Sequence, residues 1–206
     1  MRRAAFVVAL LLAGCAQPQL RAGAVHGYRL HGIEQQQAAP GVAPVVISVL
    51  PVDAAPGLGG ASMLYSPAAG ELLPYRDSGW LAPPPALVRA ALAQTLARQP
   101  WVAAVEQDVA LVPAPWLLHC ELTQLEHDAA VPPGLVRLGL SCELVGEPEG
   151  RIAAHWRSDL SQPLTVGDAA HYAAAAQQLL DAALRDALRR VVAALQSREP
   201  APKPSQ

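Results

Sequence analysis

Two segments of this chain, residues 116–126 and 135–145, alternate apolar and polar side chains with a period of two across a loop that holds Pro132, Pro133 and Gly134. Leu118, Cys120 and Leu122 on the first segment share a parity with Val136, Leu138, Leu140, Cys142 and Leu144 on the second. A strand places alternate residues on opposite faces, so this pattern predicts a long antiparallel hairpin with one face in a core. His119, Glu121 and Thr123, with Arg137, Ser141 and Glu143, fall on the other face. If the turn centres on Val131, Cys120 and Cys142 lie eleven residues to either side of it and stand directly opposite one another. Opposed β-carbons in a regular ladder are about 4.5–5.5 Å apart and a disulfide needs nearer 3.5–4.5 Å, so a bond between them requires a local narrowing. The expectation is a Cys120–Cys142 disulfide; the alternative is two buried free thiols behaving as small apolar side chains.

The flanking segments read in the same way. Residues 45–52 are apolar and β-branched, as expected of a buried strand, and 63–65 and 71–76 read as two short strands across a turn. Pro83, Pro84 and Pro85 introduce a helix whose stripe comprises Leu87, Val88, Ala91, Leu92, Thr95 and Leu96, and Pro100 ends it. Residues 102–106 and 151–160 are further strands, the latter carrying Trp156. Asp168 is placed to cap a long helix that buries Leu180, Leu184, Leu188, Val191, Val192 and Leu195. The expected fold is α/β, with α+β as the alternative: a single mixed, largely antiparallel sheet with a mid-chain helix and a long C-terminal helix packed on it.

The N-terminus sets the expected compartment. Arg2 and Arg3 precede an apolar run over residues 4–13, and small residues lead into Leu12, Ala13, Gly14 and Cys15. This is the outline of a signal peptide over residues 1–14. The Leu-Ala-Gly-Cys sequence resembles the bacterial lipobox, which implies that Cys15 carries acyl chains, palmitate among them, and becomes the first residue of the mature protein. At about 0.8 kcal/mol per buried methylene, two or three acyl chains hold a protein at a bilayer without any spanning segment. Ala16 follows where this class commonly carries an aspartate for inner-membrane retention, which implies the inner leaflet of the outer membrane of a Gram-negative cell, facing the periplasm. With Cys15 acylated, Cys120 and Cys142 are the thiols left in an oxidising compartment. Residues 15–44 are rich in Gln, Ala, Gly and Pro and are expected to be a flexible tether, with a possible short strand from Tyr28 to Ile33. A single domain over 45–196 and a disordered tail over 197–206 complete the expected organisation.

Composition narrows the function classes. The formal charge of −2 becomes −4 once Arg2 and Arg3 leave with the leader, so there is no electrostatic footprint for nucleic acid. Lys203 is the single lysine, which excludes a Walker-type phosphate loop. Gly57, Gly59 and Gly60 follow a strand, yet Tyr65, Ser66 and Pro67 come next where a dinucleotide loop needs a helix. Glu126, His127 and Asp128 could supply an acid and a base, but at a hairpin mouth they are expected to be solvated. His26, His31, His119, His155 and His171 share no ligand spacing, so no metal is expected.

Tyr28-Arg29-Leu30, then Ile47-Ser48-Val49-Leu50-Pro51-Val52, Met63-Leu64-Tyr65, and Tyr75-Arg76-Asp77-Ser78-Gly79-Trp80-Leu81-Ala82-Pro83-Pro84 leading into a helix, occur in that order. Together with the Ala-rich C-terminal helix, these residues resemble the ABC-type transport auxiliary lipoprotein family, which includes the outer-membrane lipoprotein of the paraquat-inducible Pqi system. The likeness covers about residues 28–195 and departs at Ala54–Gly60. It implies a non-enzymatic, cofactor-free lipoprotein of a phospholipid transport machine, working with a periplasmic mammalian-cell-entry (MCE) domain protein and an ABC permease and ATPase, with a homo-oligomer possible. Tyr65, Tyr75, Trp80, Pro83 and Pro84 are the candidate partner-binding residues, set against the alternative that aromatics beside a helix start pack as core. A structural lipoprotein of envelope assembly and a periplasmic hydrolase are the rival classes.

Overall fold

The computed structural model describes residues 26–108, 113–130, 132–147 and 150–197. The expected signal peptide, Cys15, the first part of the expected tether and the tail beyond Ser197 lie outside the described residues. The elements are β1 (His26–Tyr28), β2 (Val45–Val49), β3 (Asp53–Ala54), β4 (Ser62–Ser66), β5 (Leu73–Trp80), α1 (Pro84–Ala97), β6 (Val102–Glu106), β7 (Trp116–Asp128), β8 (Leu135–Gly146), β9 (Arg151–Pro163) and α2 (Ala169–Ser197). They form one mixed sheet with two helices, the architecture expected from the sequence.

Strand β7 is the spine. One edge pairs antiparallel with β8 along its length, and β8 pairs antiparallel with β9. Its other edge is divided among three short parallel strands: β2 beside Trp116 to Leu118, β3 beside Glu121 and Leu122, and β4 beside His127 and Asp128. Outward from these, β6 joins β2, β5 joins β4 and β1 joins β5. The apolar run at 45–52 gives β2 alone, which ends at Val49 ahead of Pro51, a residue with no amide hydrogen to give the ladder, and β3 begins beyond the run at Asp53.

Both helices contact the sheet, α1 on β2, β6 and β7 and α2 on β8 and β9, and they touch each other. Leu118, Cys120, Leu122, Val136, Leu138, Leu140, Cys142, Leu144 and Trp156 all lie in the same buried cluster as Leu92, Leu180 and Leu184. Proline suits the start of α1 because the first amides of a helix lack intrahelical partners. At α2 the backbone N–H of His171 donates to the Asp168 carboxylate at 2.8 Å, the expected cap. Cys120 and Cys142 are paired in register and joined by a disulfide, with Cα atoms 4.1 Å apart.

The stretch 30–44 differs from the expected tether. Leu30 and Ile33 are buried, and the backbone is strapped across α1 by side-chain partners. Gly32 N–H donates to Gln94 Oε1 (3.1 Å), Ile33 N–H to Thr95 Oγ1 (3.1 Å) and Gln37 N–H to Gln99 Oε1 (2.7 Å), while Trp101 Nε1 donates to Gln37 O (2.8 Å). Glycine is required at 32, where an added Cβ would lie 2.7 Å from Ala91 O. The strap has no apolar periodicity because polar side chains of α1, rather than a repeating greasy face, hold it.

Two stability measurements test this arrangement. Thr95→Val keeps the shape but leaves the buried Ile33 amide unpaired, and urea unfolding should show a loss of about 1–3 kcal/mol. Replacing Cys120 and Cys142 together by Ala releases a loop of 22 residues and should cost about 3 kcal/mol in the same assay.

Candidate functional site

The register of the long hairpin changes partway, and this change builds the site. From Trp116 to Leu122 the pairing keeps one parity, with Cys120 opposite Cys142 and Leu122 opposite Leu140. Beyond it Gln124 faces Gly139 and Leu125 faces Leu138, so Thr123 is an extra residue, a bulge. Gly139 makes room for it: a Cβ there would lie 2.3 Å from Thr123 Oγ1. After the bulge, odd-numbered residues of β7 turn inward. Leu125 is 2% exposed and His127 is 3% exposed. The expectation that the Glu126-His127-Asp128 triplet is solvated therefore fails at its central residue.

His127 enters an aromatic cluster. Tyr75 OH lies 2.7 Å from His127 Nδ1, and His127 Nε2 lies 3.2 Å from the carbonyl oxygen of Pro133. A carbonyl only accepts, so in the neutral ring Nε2 carries the hydrogen and Nδ1 accepts from the phenol. Tyr172, fully buried on the first turn of α2, has its ring 6.1 Å from both Tyr75 and His127 and 5.7 Å edge-on from Trp80. Tyr65 meets Tyr75 edge-on at 5.2 Å. Two glycines allow this closeness. A Cβ on Gly134, whose φ is +107°, would lie 2.0 Å from His127 Nε2, and one on Gly167 would lie 2.8 Å from Pro133 O.

Beside the cluster is a cleft of about 490 Å³ lined by Tyr65, Pro74, Tyr75, Arg76, His127 and Gly167 among others. Burial above all, then the negative charges of Asp168 and an ionised Tyr65, pushes the Tyr75 phenol up to about 12. Burial also raises the Tyr172 phenol well above its ordinary value. At the cleft margin the Arg137 side chain, bonded at 2.9 Å, lowers the Asp128 carboxyl, and the His171 backbone amide lowers that of Asp168. Tyr75 is thus a protonated donor to His127, the opposite of an activated nucleophile.

The structure brings Tyr65, Tyr75 and Trp80 together and leaves the proline pair apart. Tyr65 and Tyr75 are half-buried at the cleft, whereas Trp80 is 5% exposed and packs on Tyr172. Pro84 is buried and Pro83 exposed at the start of α1. His127 and Tyr172, the two side chains that organise the cluster, were not among the expected site residues. Gly139, opposite the end of the clean alternation, is the sequence signal for the bulge that turns His127 inward.

On the solvent face of the sheet, His119 Nε2 lies 3.0 Å from Asp53 Oδ2 and its Nδ1 lies 3.4 Å from Glu143 Oε1. No group of His, Cys, Asp and Glu among the described residues is arranged to hold a metal ion.

At neutral pH Tyr75→Phe, which strips His127 Nδ1 of its donor, should lower stability by about 1–3 kcal/mol. Between pH 10 and about 12 the unfolded chain releases the Tyr75 proton and the folded chain keeps it, so stability falls as pH rises. Urea unfolding at pH 9 and pH 11 should show a smaller fall for Tyr75→Phe than for the wild type. Tyr172 OH is buried with no hydrogen-bond partner among the described residues, so Tyr172→Phe should leave Tm unchanged or raise it.

No curated protein matches the chain. Among solved structures it is similar in fold to protein XCC0632 of Xanthomonas campestris, with 18% identity, a TM-score of 0.74, and coverage of 86% of this chain and 100% of that one. An uncharacterized protein gives 14% identity, a TM-score of 0.65 and coverage of 82% and 99%. The hypothetical protein CT253 of Chlamydia trachomatis gives 13% identity, a TM-score of 0.52 and coverage of 74% and 98%. The profile of one family spans the strap, the spine, the aromatic cluster and most of α2, matching residues 28–187. The chain belongs to the ABC-type transport auxiliary lipoprotein component family.

Proposed function

We propose that this protein is a non-enzymatic, lipid-anchored subunit of an ABC and MCE-type phospholipid transport system, which docks the machinery at the inner leaflet of the outer membrane. The observation that carries the reading is the family match over residues 28–187. The lipobox-like sequence ending at Cys15 supports acyl anchoring. No helix among the described residues is long and apolar enough to cross a membrane, so an acyl anchor is the means of attachment that the sequence itself offers.

The strap fixes how far the domain stands from its anchor. Cys15 is eleven positions before His26, the first described residue, and eleven positions of chain span at most about 36–40 Å. A domain on so short a leash is concentrated near anything that meets the same membrane. The contact surface in this reading is the cleft end of the sheet, where Tyr65, Tyr75 and Arg76 reach solvent, with exposed Pro83 at the neighbouring helix start. Trp80, packed on Tyr172, supports that surface from beneath, while Pro84 is buried at the helix start. Absence of catalysis fits the Tyr75 phenol, which is held protonated, and His127, whose two ring nitrogens are both engaged.

Fractionation and capture test the reading together. Cys15→Ala should take up no labelled palmitate and should leave the membrane fraction. Affinity capture of the full chain from detergent-solubilised envelopes should retrieve an MCE-domain protein with its permease and ATPase. Tyr65→Ala combined with Arg76→Glu should reduce that retrieval at least tenfold while far-ultraviolet circular dichroism shows the fold intact. Retrieval of none of these partners by the correctly folded, acylated protein would refute the transport role.

A further inference from the structure

The outer edge of β9 has no strand partner among the described residues, although β9 runs for 13 residues. A long open edge is a template for another chain unless something blocks it. Here the blocks stand only at the ends. Pro163 closes one end, and at the other the register shifts between the Leu144–Ala154 and Val145–Ile152 pairs, leaving Ala153 as a bulge. Residues 155–161 between them are regular.

The direction of the free backbone groups follows from the ladder. Leu118 O and Leu122 O accept hydrogen bonds from Leu50 N and Ala55 N, so the even-numbered residues of this part of β7 point their backbone groups away from β8. Cys120 and Cys142 are therefore a non-hydrogen-bonded pair across β7 and β8, in keeping with their close Cα atoms. Cys142 must then bond to β9 through its register partner Trp156. Alternation along β9 turns the backbone N–H and C=O groups of His155, Arg157, Asp159 and Ser161 outward to the open edge.

We propose that this edge pairs antiparallel with the same edge of a second copy of this chain, about a twofold axis through Ser158. Charge selects the register. With the axis at Ser158, Arg157 lies opposite the partner's Asp159 and Asp159 opposite the partner's Arg157, while His155 faces the partner's Ser161. Moving the axis to Arg157 or to Asp159 would oppose two guanidinium groups or two carboxylates, which is unfavourable between directly facing residues. The side chains of Arg157 and Asp159 are both more than half exposed and among the described residues bond to each other alone, Nε to Oδ2 at 2.7 Å, so both are free to exchange partners. Opposition of the outward-facing odd residues restores the hydrogen bonds of the edge, and it keeps polar side chains on the solvent face of both sheets. The pairing rests on β9 alone and is independent of the transport reading.

Native mass spectrometry of the full chain, released from detergent over a concentration series, tests the proposal. The wild type should give a dimer. Arg157→Asp alone and Asp159→Arg alone should each weaken it at least tenfold, because the symmetry repeats every like-charge opposition. Arg157→Asp combined with Asp159→Arg should restore it. Far-ultraviolet circular dichroism of all variants should match the wild type, since both positions are exposed. A monomer at every concentration, a dimer indifferent to either single reversal, or failure of the combined variant to recover dimerisation while folded would each overturn the proposal.

Discussion

Strand β7 is the element on which the rest depends, because its two edges do different work. The β8 edge is satisfied by one long antiparallel partner adjacent in sequence, which needs only a tight turn to form. The opposite edge is satisfied piecewise by β2, β3 and β4, which precede β7 by some 60 to 70 residues in the chain. Those parallel pairings close long loops, whose entropy must be offset by packing of α1 and the strap. The disulfide lies where that piecewise edge is weakest, beside the break between β2 and β3. It ties the spine to its strong partner at the level where the weak partners change over.

A single extra residue divides the molecule into two regimes. Below Thr123 the buried face of β7 is aliphatic and continues the Leu and Cys pattern of β8. Above it the parity is reversed and the core becomes aromatic and polar, with His127 bonded between a phenol and a backbone carbonyl. Burying an imidazole is tolerable only because both nitrogens are satisfied. That satisfaction requires Gly134 and Gly167, since a side chain at either position would occupy the space of the ring or of the Pro133 carbonyl. The cleft lies beside this packing and is lined by three of its rings, Tyr65, Tyr75 and His127.

What was legible in the sequence is what the chain specifies locally. The Cys120–Cys142 register, the helices and the Asp168 cap follow from period two, period 3.6 and one side chain, and each appears where the pattern put it. The Thr123 bulge was missed because alternation carried forward from Leu118 assigns His127 to solvent; the slip shows in β7 only as Leu125 standing where Gln124 should be apolar, and the room for it is made on the neighbouring strand at Gly139. The strap over 30–44 was read as tether for a related reason. Its partners Gln94 and Thr95 are polar residues of α1 and Gln99 follows the helix end, and Thr95 and Gln99 are nearly fully buried, an oddity visible only once the helix is placed. Of the aromatic residues singled out, proximity in sequence gathered Tyr75 and Trp80, yet their common partner Tyr172 lies almost a hundred positions away.

The order of the strands also decides which surfaces an anchored domain can offer. The chain enters the fold at β1, and the path from there through β5, β4, β7 and β8 to β9 crosses five strand spacings, about 24 Å at roughly 4.8 Å each. β1 and the open β9 edge are thus opposite margins of this path across the sheet. Pairing at β9 uses the margin of the sheet remote from β1 and leaves Tyr65, Tyr75 and Arg76 free, so self-association and docking at the cleft make no competing demand on the same residues.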